Sequence, residues 1–169
     1  SKYVYEIFDE LLFSGHNLGR PIAGTIETVK KITKNDIKGY LNNLYNNSNI
    51  VISIAGNFSE NKVKDLSEKY FCVKKGEKAN FQKWEENENG PKVKVLKKET
   101  EQTHIVIGGI GVSIESQKKY PLSILNIILG GNMSSRLFNR IREKMGLAYE
   151  IRSFTRNYTD TGTFIISLG

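Results

Sequence analysis

Cysteine is nearly missing from this chain: Cys72 stands alone among 169 residues. A lone thiol forms no internal disulfide, and no thiolate cluster exists to hold zinc or an iron–sulfur centre, so a buried structural thiol is the expectation. Histidine is almost as scarce. His16 and His104 lie far apart and have no carboxylate partners at helical spacing, which makes them a poor metal site. Long apolar runs are also missing. Hydrophobic residues make up 38% of the chain, and no stretch approaches the ~20 apolar residues of a membrane-spanning helix, so no membrane role is expected. Ser1 to Leu12 has neither the basic start nor the apolar stretch of a secretory signal, which does not decide export where a longer chain precedes it; a cytoplasmic setting is the expectation. Acidic residues are outnumbered, 18 against 25 Lys and Arg, for a net charge of +7. Such a balance can serve phosphate neutralisation. Here the lysines interleave with glutamates between Lys74 and Lys98, and neither a reader helix nor an aromatic RNA-binding strand is recognisable. The charge reads as a solvated surface, and no nucleic-acid partner is expected.

What is present begins with an amphipathic helix. Val4, Ile7, Phe8, Leu11 and Leu12 recur at i, i+3, i+4, i+7 and i+8. It stops before Ser14-Gly15, and a loop rich in glycine and proline runs from His16 to Gly24. Thr25 is placed to cap a short helix. Thr33 with Asp36 predicts a capping box for the next one, whose apolar face is Ile37, Tyr40, Leu41, Leu44 and Tyr45. Ile50 to Ala55 is rich in β-branched residues and reads as a strand buried on both faces. Ser59 is placed to cap a helix carrying Val63, Leu66 and Tyr70. Residues 74–92 shift to Lys, Glu, Asn and Gln and read as a linker, pinned to a surface by Phe81 and Trp84. Beyond it, Val93 and Val95 and then His104 to Gly108 give two strand candidates before a glycine-rich turn, 108–111. Pro121 suits the first turn of a helix through Leu129. Gly130-Gly131-Asn132 breaks it. Ser134 or Ser135 can cap a further helix, with Leu137, Phe138 and Ile141 inward and Gly146 as its left-handed end. Two strands, 150–156 and 163–168, close the chain around a turn at Thr159 to Gly162. The fold class is α+β, in three parts: 1–73, the linker 74–92, and 93–169.

Two strings are more specific than any of these patterns. Leu129-Gly130-Gly131-Asn132-Met133-Ser134-Ser135-Arg136-Leu137-Phe138, followed by Ile141-Arg142-Glu143-Lys144 and Gly146-Leu147-Ala148-Tyr149, resembles the second-domain signature of pitrilysin (insulinase)-type zinc metallopeptidases. His16-Asn17-Leu18-Gly19-Arg20-Pro21-Ile22-Ala23-Gly24-Thr25 resembles a first-domain loop of the same group, which includes the mitochondrial and bacterial processing peptidases. The likeness covers nearly the whole chain.

The resemblance implies a duplicated α+β domain, with zinc held in the first copy by an inverted H-x-x-E-H motif and a downstream glutamate. Neither occurs here. The chain is therefore expected to begin after the last metal ligand and to end within the second domain: no metal and no catalytic residue of its own, with zinc in the parent. By resemblance, Arg142 and Tyr149 match the pair that reaches from the second domain to grip substrate backbone. Guanidinium N–H groups suit a carbonyl, and a phenol O–H suits a developing oxyanion. The plain alternative is a helix-surface arginine and a core tyrosine. Gly130, Gly131 and Asn132 are candidates to line the substrate chamber, or simply break one helix from the next; Asn132 stands where a third glycine is expected. His16 is expected to bond backbone, and His104 to face a polar surface or domain interface. Two readings follow: part of a zinc endopeptidase acting on peptides or unfolded polypeptides, or part of a catalytically silent paralogue that binds peptides or partner chains. Incomplete sheets and uncovered helix faces also predict self-association of the isolated chain.

Overall fold

The computed structural model describes residues 3–71, 73–85, 90–99 and 101–169. Cys72 lies outside them. The chain packs as two compact units, one formed by residues 1–23 with 82–169, the other by 24–81.

The first unit is built on a three-stranded antiparallel sheet in the order β1 (Ile105–Ile110), β3 (Gly162–Leu168), β2 (Ile151–Asn157). β3 is central and pairs along its length with both neighbours. Because side chains alternate across a strand, each face can be read from the register. One face carries Arg152, Phe154 and Arg156 of β2 beside Thr163, Ile165 and Ser167 of β3. α1 (Tyr3–Leu12) lies against it. The Tyr5 hydroxyl donates to Ser167 Oγ (2.8 Å) and accepts from Arg152 Nη2 (3.2 Å), while Arg156 Nη1 donates to Asp9 Oδ2 (2.7 Å). Phe8 rests where a Cβ at Gly108 would stand, 3.0 Å from its ring. That close approach explains a difference from the expected glycine-rich turn: Gly108 and Gly109 belong to β1, and the missing side chain makes room for the helix.

The opposite face carries Ile151 and Ser153, both buried, against α5 (Lys119–Leu129). Pro121 sits in its first turn, as expected. The helix turns Leu122, Asn126 and Leu129 toward cover and leaves Ile124, Leu125, Ile127 and Ile128 exposed. At the far end of α1, Phe13 is fully buried between the Trp84 and Tyr158 rings (centroids 5.0 and 6.0 Å). Complete burial of such a side chain contributes about 1.5–3 kcal/mol. Trp84 is held there by its own backbone N–H, which donates to Asp160 Oδ2 (2.6 Å). Phe81, the other expected pin, is 77% exposed. His16 behaves as expected: Nδ1 accepts from the Leu18 N–H (3.2 Å) and Nε2 lies 3.1 Å from the Gln82 carbonyl oxygen. His104 is half-buried just before β1.

The second unit holds α2 (Ile26–Lys31), α3 (Lys34–Leu44) and α4 (Glu60–Tyr70). Both expected N-caps on the first two are formed: Thr25 with Thr28, and Thr33 with Asp36, are reciprocal capping boxes. Hydrogen bonds from the Thr33 side chain and backbone hold the Asp36 carboxyl below its ordinary range. Ser59 starts α4 without a side-chain cap bond, its expected role unfilled.

Two strand expectations are overturned. Ile50 to Ala55 pairs with nothing among the described residues, and Val51 is 92% exposed. Val93 and Val95 are likewise unpaired and exposed. β-branched composition favours extended backbone, but a strand exists only where a neighbour completes its hydrogen-bond ladder. All the buried apolar side chains among the described residues belong to the first unit. Asparagines tie the second one together instead: Asn46 Nδ2 donates to the Asn43 and Glu77 carbonyls (both 3.1 Å), and the Ala79 N–H donates to Asn49 Oδ1 (2.7 Å).

The Asp9–Arg156 pair is the polar bond between α1 and the sheet with the least solvent around it, its side chains 20% and 29% exposed. Burial works against the Arg156 charge, and the Asp9 hydrogen bond and charge more than offset it, so the guanidinium is held more tightly protonated than usual. Arg156→Met should lower unfolding free energy by about 1–2 kcal/mol, the range of a part-exposed charge-assisted bond. Urea unfolding followed by tryptophan fluorescence reads this through Trp84; an unchanged midpoint would remove the pair from the list of anchors.

Candidate functional site

The chain between α5 and β2 builds the candidate site. α5 ends at Gly130, whose N–H and that of Gly131 both donate to the Asn126 carbonyl (3.0 and 2.9 Å). The Ser153 N–H of β2 then donates to the Gly130 carbonyl (2.9 Å), and Ser153 Oγ donates to Asn126 Oδ1 (2.7 Å). A Cβ at Gly130 would lie 2.6 Å from the Ser153 nitrogen. This buried glycine lets the helix end touch the sheet. Asn132 tightens the turn that follows, its Oδ1 accepting from the Ser134 N–H (2.9 Å). The cap expected of Ser134 or Ser135 is not formed: the helix start carries no side-chain cap bond, and the buried Ser135 hydroxyl makes no hydrogen bond.

The helix that follows is wound differently from the expected α-helix. Residues Phe138–Lys144 form a π-helix, and the Met145 N–H donates to the Arg140 carbonyl five residues back. Such wide turns are rare in proteins and concentrate at functional sites. Gly146 ends it at φ 62°, the left-handed conformation expected of it. Tyr149 and Glu150 are then fastened to the last residue of the chain, both N–H groups donating to the Gly169 carbonyl (2.9 and 3.0 Å).

This path brings Arg142 and Tyr149 together. Arg142 Cζ lies 5.0 Å from the centroid of the Tyr149 ring and 4.7 Å from that of Phe138. The tyrosine is 79% exposed, so the core tyrosine of the plain alternative is not what forms. The arginine side chain is 34% exposed, and the carboxylate of Glu143 stays 3.8 Å from its Nε, outside hydrogen-bond range. The arrangement presents N–H and O–H donors to solvent from a short stretch of surface. It suits an acceptor such as a peptide carbonyl. Among the described residues no three His, Cys, Asp or Glu side chains come together, so they offer a metal no donor set.

The model of the peptidase M16 inactive domain matches residues 31–169. The chain belongs to the M16 peptidase family. An uncharacterized zinc protease of Bacillus subtilis, YmxG, is 37% identical over 165 residues, covering 96% of this chain and 39% of its own length. A second uncharacterized zinc protease, from Rickettsia felis, is 36% identical over the same coverage. Among solved structures, the M16 inactive domain from Pseudomonas fluorescens matches with a TM-score of 0.84 at 23% identity, over 99% of this chain and 41% of that one. A protease from Helicobacter pylori matches with a TM-score of 0.84 at 20% identity. These likenesses agree with the α+β class. This M16 chain spans about two fifths of the length of the relatives it matches.

Three participants escaped the sequence reading. Phe138 is half-buried, in keeping with an inward face, and its ring also lies against Arg142, a role its pattern does not announce. Asn126 and Ser153 gave no signal at all, since a polar residue within an apolar helix and one within a strand look like interruptions of the pattern. One cue for Phe138 was available: it lies four residues before Arg142, a helical neighbour.

Gly130→Ala places a methyl group against the Ser153 backbone, whereas a Cβ at Gly109 would meet nothing within 4 Å. Gly130→Ala should lower the thermal midpoint by several degrees, and Gly109→Ala by far less; equal effects in circular-dichroism melts would mean that the contact at Ser153 is not limiting.

Proposed function

We propose that this chain is the substrate-gripping portion of a longer zinc endopeptidase acting on peptides or unfolded polypeptides. On this reading residues 1–73 close the parent's first α+β domain, 74–92 link, and 93–169 open the second. The observation that carries it is the pairing of a half-buried Arg142 with an exposed Tyr149, a cationic donor fork beside a phenol. Arg142 would donate to a substrate carbonyl, and the Tyr149 O–H would meet the oxygen that gains charge as the carbonyl is attacked. Gly131 and Asn132, exposed ahead of the π-helix, would line the same chamber, with the buried Gly130 holding their turn against β2. Zinc in the parent is supported by the zinc-protease names of the relatives, and its ligands would lie elsewhere in the parent. When bound, zinc activates a water molecule for hydrolysis. A cytoplasmic setting belongs to the same proposal.

The second reading is a silent paralogue that binds peptides without cleaving them; the match to the inactive domain of the family fits both, since that domain is the partner of the zinc-bearing one. The two separate in the full-length parent. Arg142→Ala and Tyr149→Phe should each lower kcat/KM for peptide hydrolysis by about 10²-fold or more while zinc content stays at the wild-type level. A parent that holds no zinc and cleaves nothing would decide for the silent subunit.

Self-association of the isolated chain is part of the proposal. Ile37, Tyr40 and Leu41 on α3 and Ile124, Ile127 and Ile128 on α5 are all exposed, and 50–55 is unpaired among the described residues. Light scattering should show mass rising with concentration across the micromolar range, and a constant monomer mass would contradict it.

A further inference from the structure

Arg142 has two aromatic neighbours, Tyr149 and Phe138. Phe138 lies one helical turn before it, half-buried, with its ring centroid 4.7 Å from the guanidinium carbon, closer than the ring of Tyr149 at 5.0 Å. Both distances fall inside the ~6 Å reach of a cation–π interaction. The alternatives for holding the arginine are weak. Glu143 is out of hydrogen-bond range of Nε and more than half exposed, so that ion pair contributes little. No other carboxylate forms an ion pair with it among the described residues. The backbone supports the same relation. The Met145 N–H reaches back to both the Arg140 and Arg142 carbonyls, so the wide turn is closed on the C-terminal side of Arg142, with Phe138 opening the helix.

We infer that Phe138 is a positioning residue for Arg142: its ring fixes the guanidinium plane so that the N–H edge stays free for a substrate carbonyl. The inference rests on the Arg142 grip proposed above. A ring holds a guanidinium by its face and takes none of its in-plane donors. A carboxylate in the same role would occupy those donors and neutralise the charge.

The test is a double-mutant cycle in the full-length parent, with peptide hydrolysis and selectively ¹⁵N-labelled arginine as two readouts. Phe138→Leu keeps an apolar side chain and removes the ring. It should lower kcat/KM about tenfold, the upper part of the range of a cation–π contact converted at 1.4 kcal/mol per decade. The same change made in an Arg142→Ala background should cost almost nothing further, because the two residues act as one unit. Phe138→Tyr, which restores a ring, should recover most of the loss. The Arg142 Nε–H resonance should move when the ring is removed and return with Phe138→Tyr. Should Phe138→Leu yield too little folded protein, Phe138→Met carries the same cycle. Additive losses with a fixed Arg142 resonance would overturn the inference and reduce Phe138 to packing. If Arg142→Ala itself leaves hydrolysis intact, the grip reading fails, and the resonance alone then decides whether Phe138 orders the arginine.

Discussion

Everything at the candidate site hangs from the ladder along β3. It is the central strand of its sheet, with Thr163 and Ile165 fully buried, and its pairing with β2 sets the register of both site anchors. Near the middle of that ladder Ser153 faces α5 and fastens the Gly130 turn; at the end Gly169 fastens Tyr149. A one-residue slip between β2 and β3 would turn Ser153 away from α5 and bring Arg152 to that face, so the register is coupled to the site by geometry. β1 on the other edge, with α1 on the opposite face, supplies the burial that holds the ladder still.

The two units illustrate two ways of keeping chain in place. In the first, apolar burial and polar bonds across the layers act together: Phe8, Phe13, Ile151 and Ile165 are enclosed, and Tyr5, Asp9 and Asn126 bond to side chains of the sheet. In the second, local hydrogen bonding does it, through two capping boxes and a group of asparagines bonded to backbone. Capping satisfies helix ends one at a time, and each cap contributes about 1 kcal/mol. That shapes α2 and α3 without covering their apolar faces, and the uncovered residues of α3 remain in solvent.

This difference explains how much the sequence disclosed. Helix starts at Thr25 and Thr33 were legible because a cap is a contact between residues three apart, and period-2 and 3.6 patterns located α1, β2 and β3. The end at Gly146 was legible because positive φ has few candidate residues. The strand expected at 50–55 failed for the opposite reason: its β-branched residues state a preference, and a ladder needs a neighbour that sequence pattern does not name. The π winding of 138–144 was hidden too, since Leu137, Phe138 and Ile141 fit an α-helical stripe equally well. At the site, the resemblance pointed to Arg142 and Tyr149, while the residues that seat them, Ser153, Asn126 and Phe138, depend on contacts across the fold.

The way Arg142 is held bears on what it can do. An arginine free in solvent must give up about 2 kcal/mol of rotamer freedom when it meets a ligand, and one already fixed has lost part of that in folding. Fixing it with a carboxylate spends the donors that recognition needs. Here the Glu143 carboxylate stands off at 3.8 Å, and the close neighbours are two rings, which attract the cation without accepting its hydrogen bonds. The side chain thus lies against two rings with a third of its surface open. An arginine that served only stability would be expected to saturate its N–H groups on protein acceptors. On the proposed reading, one left on an aromatic support keeps its donors for an acceptor that arrives from outside.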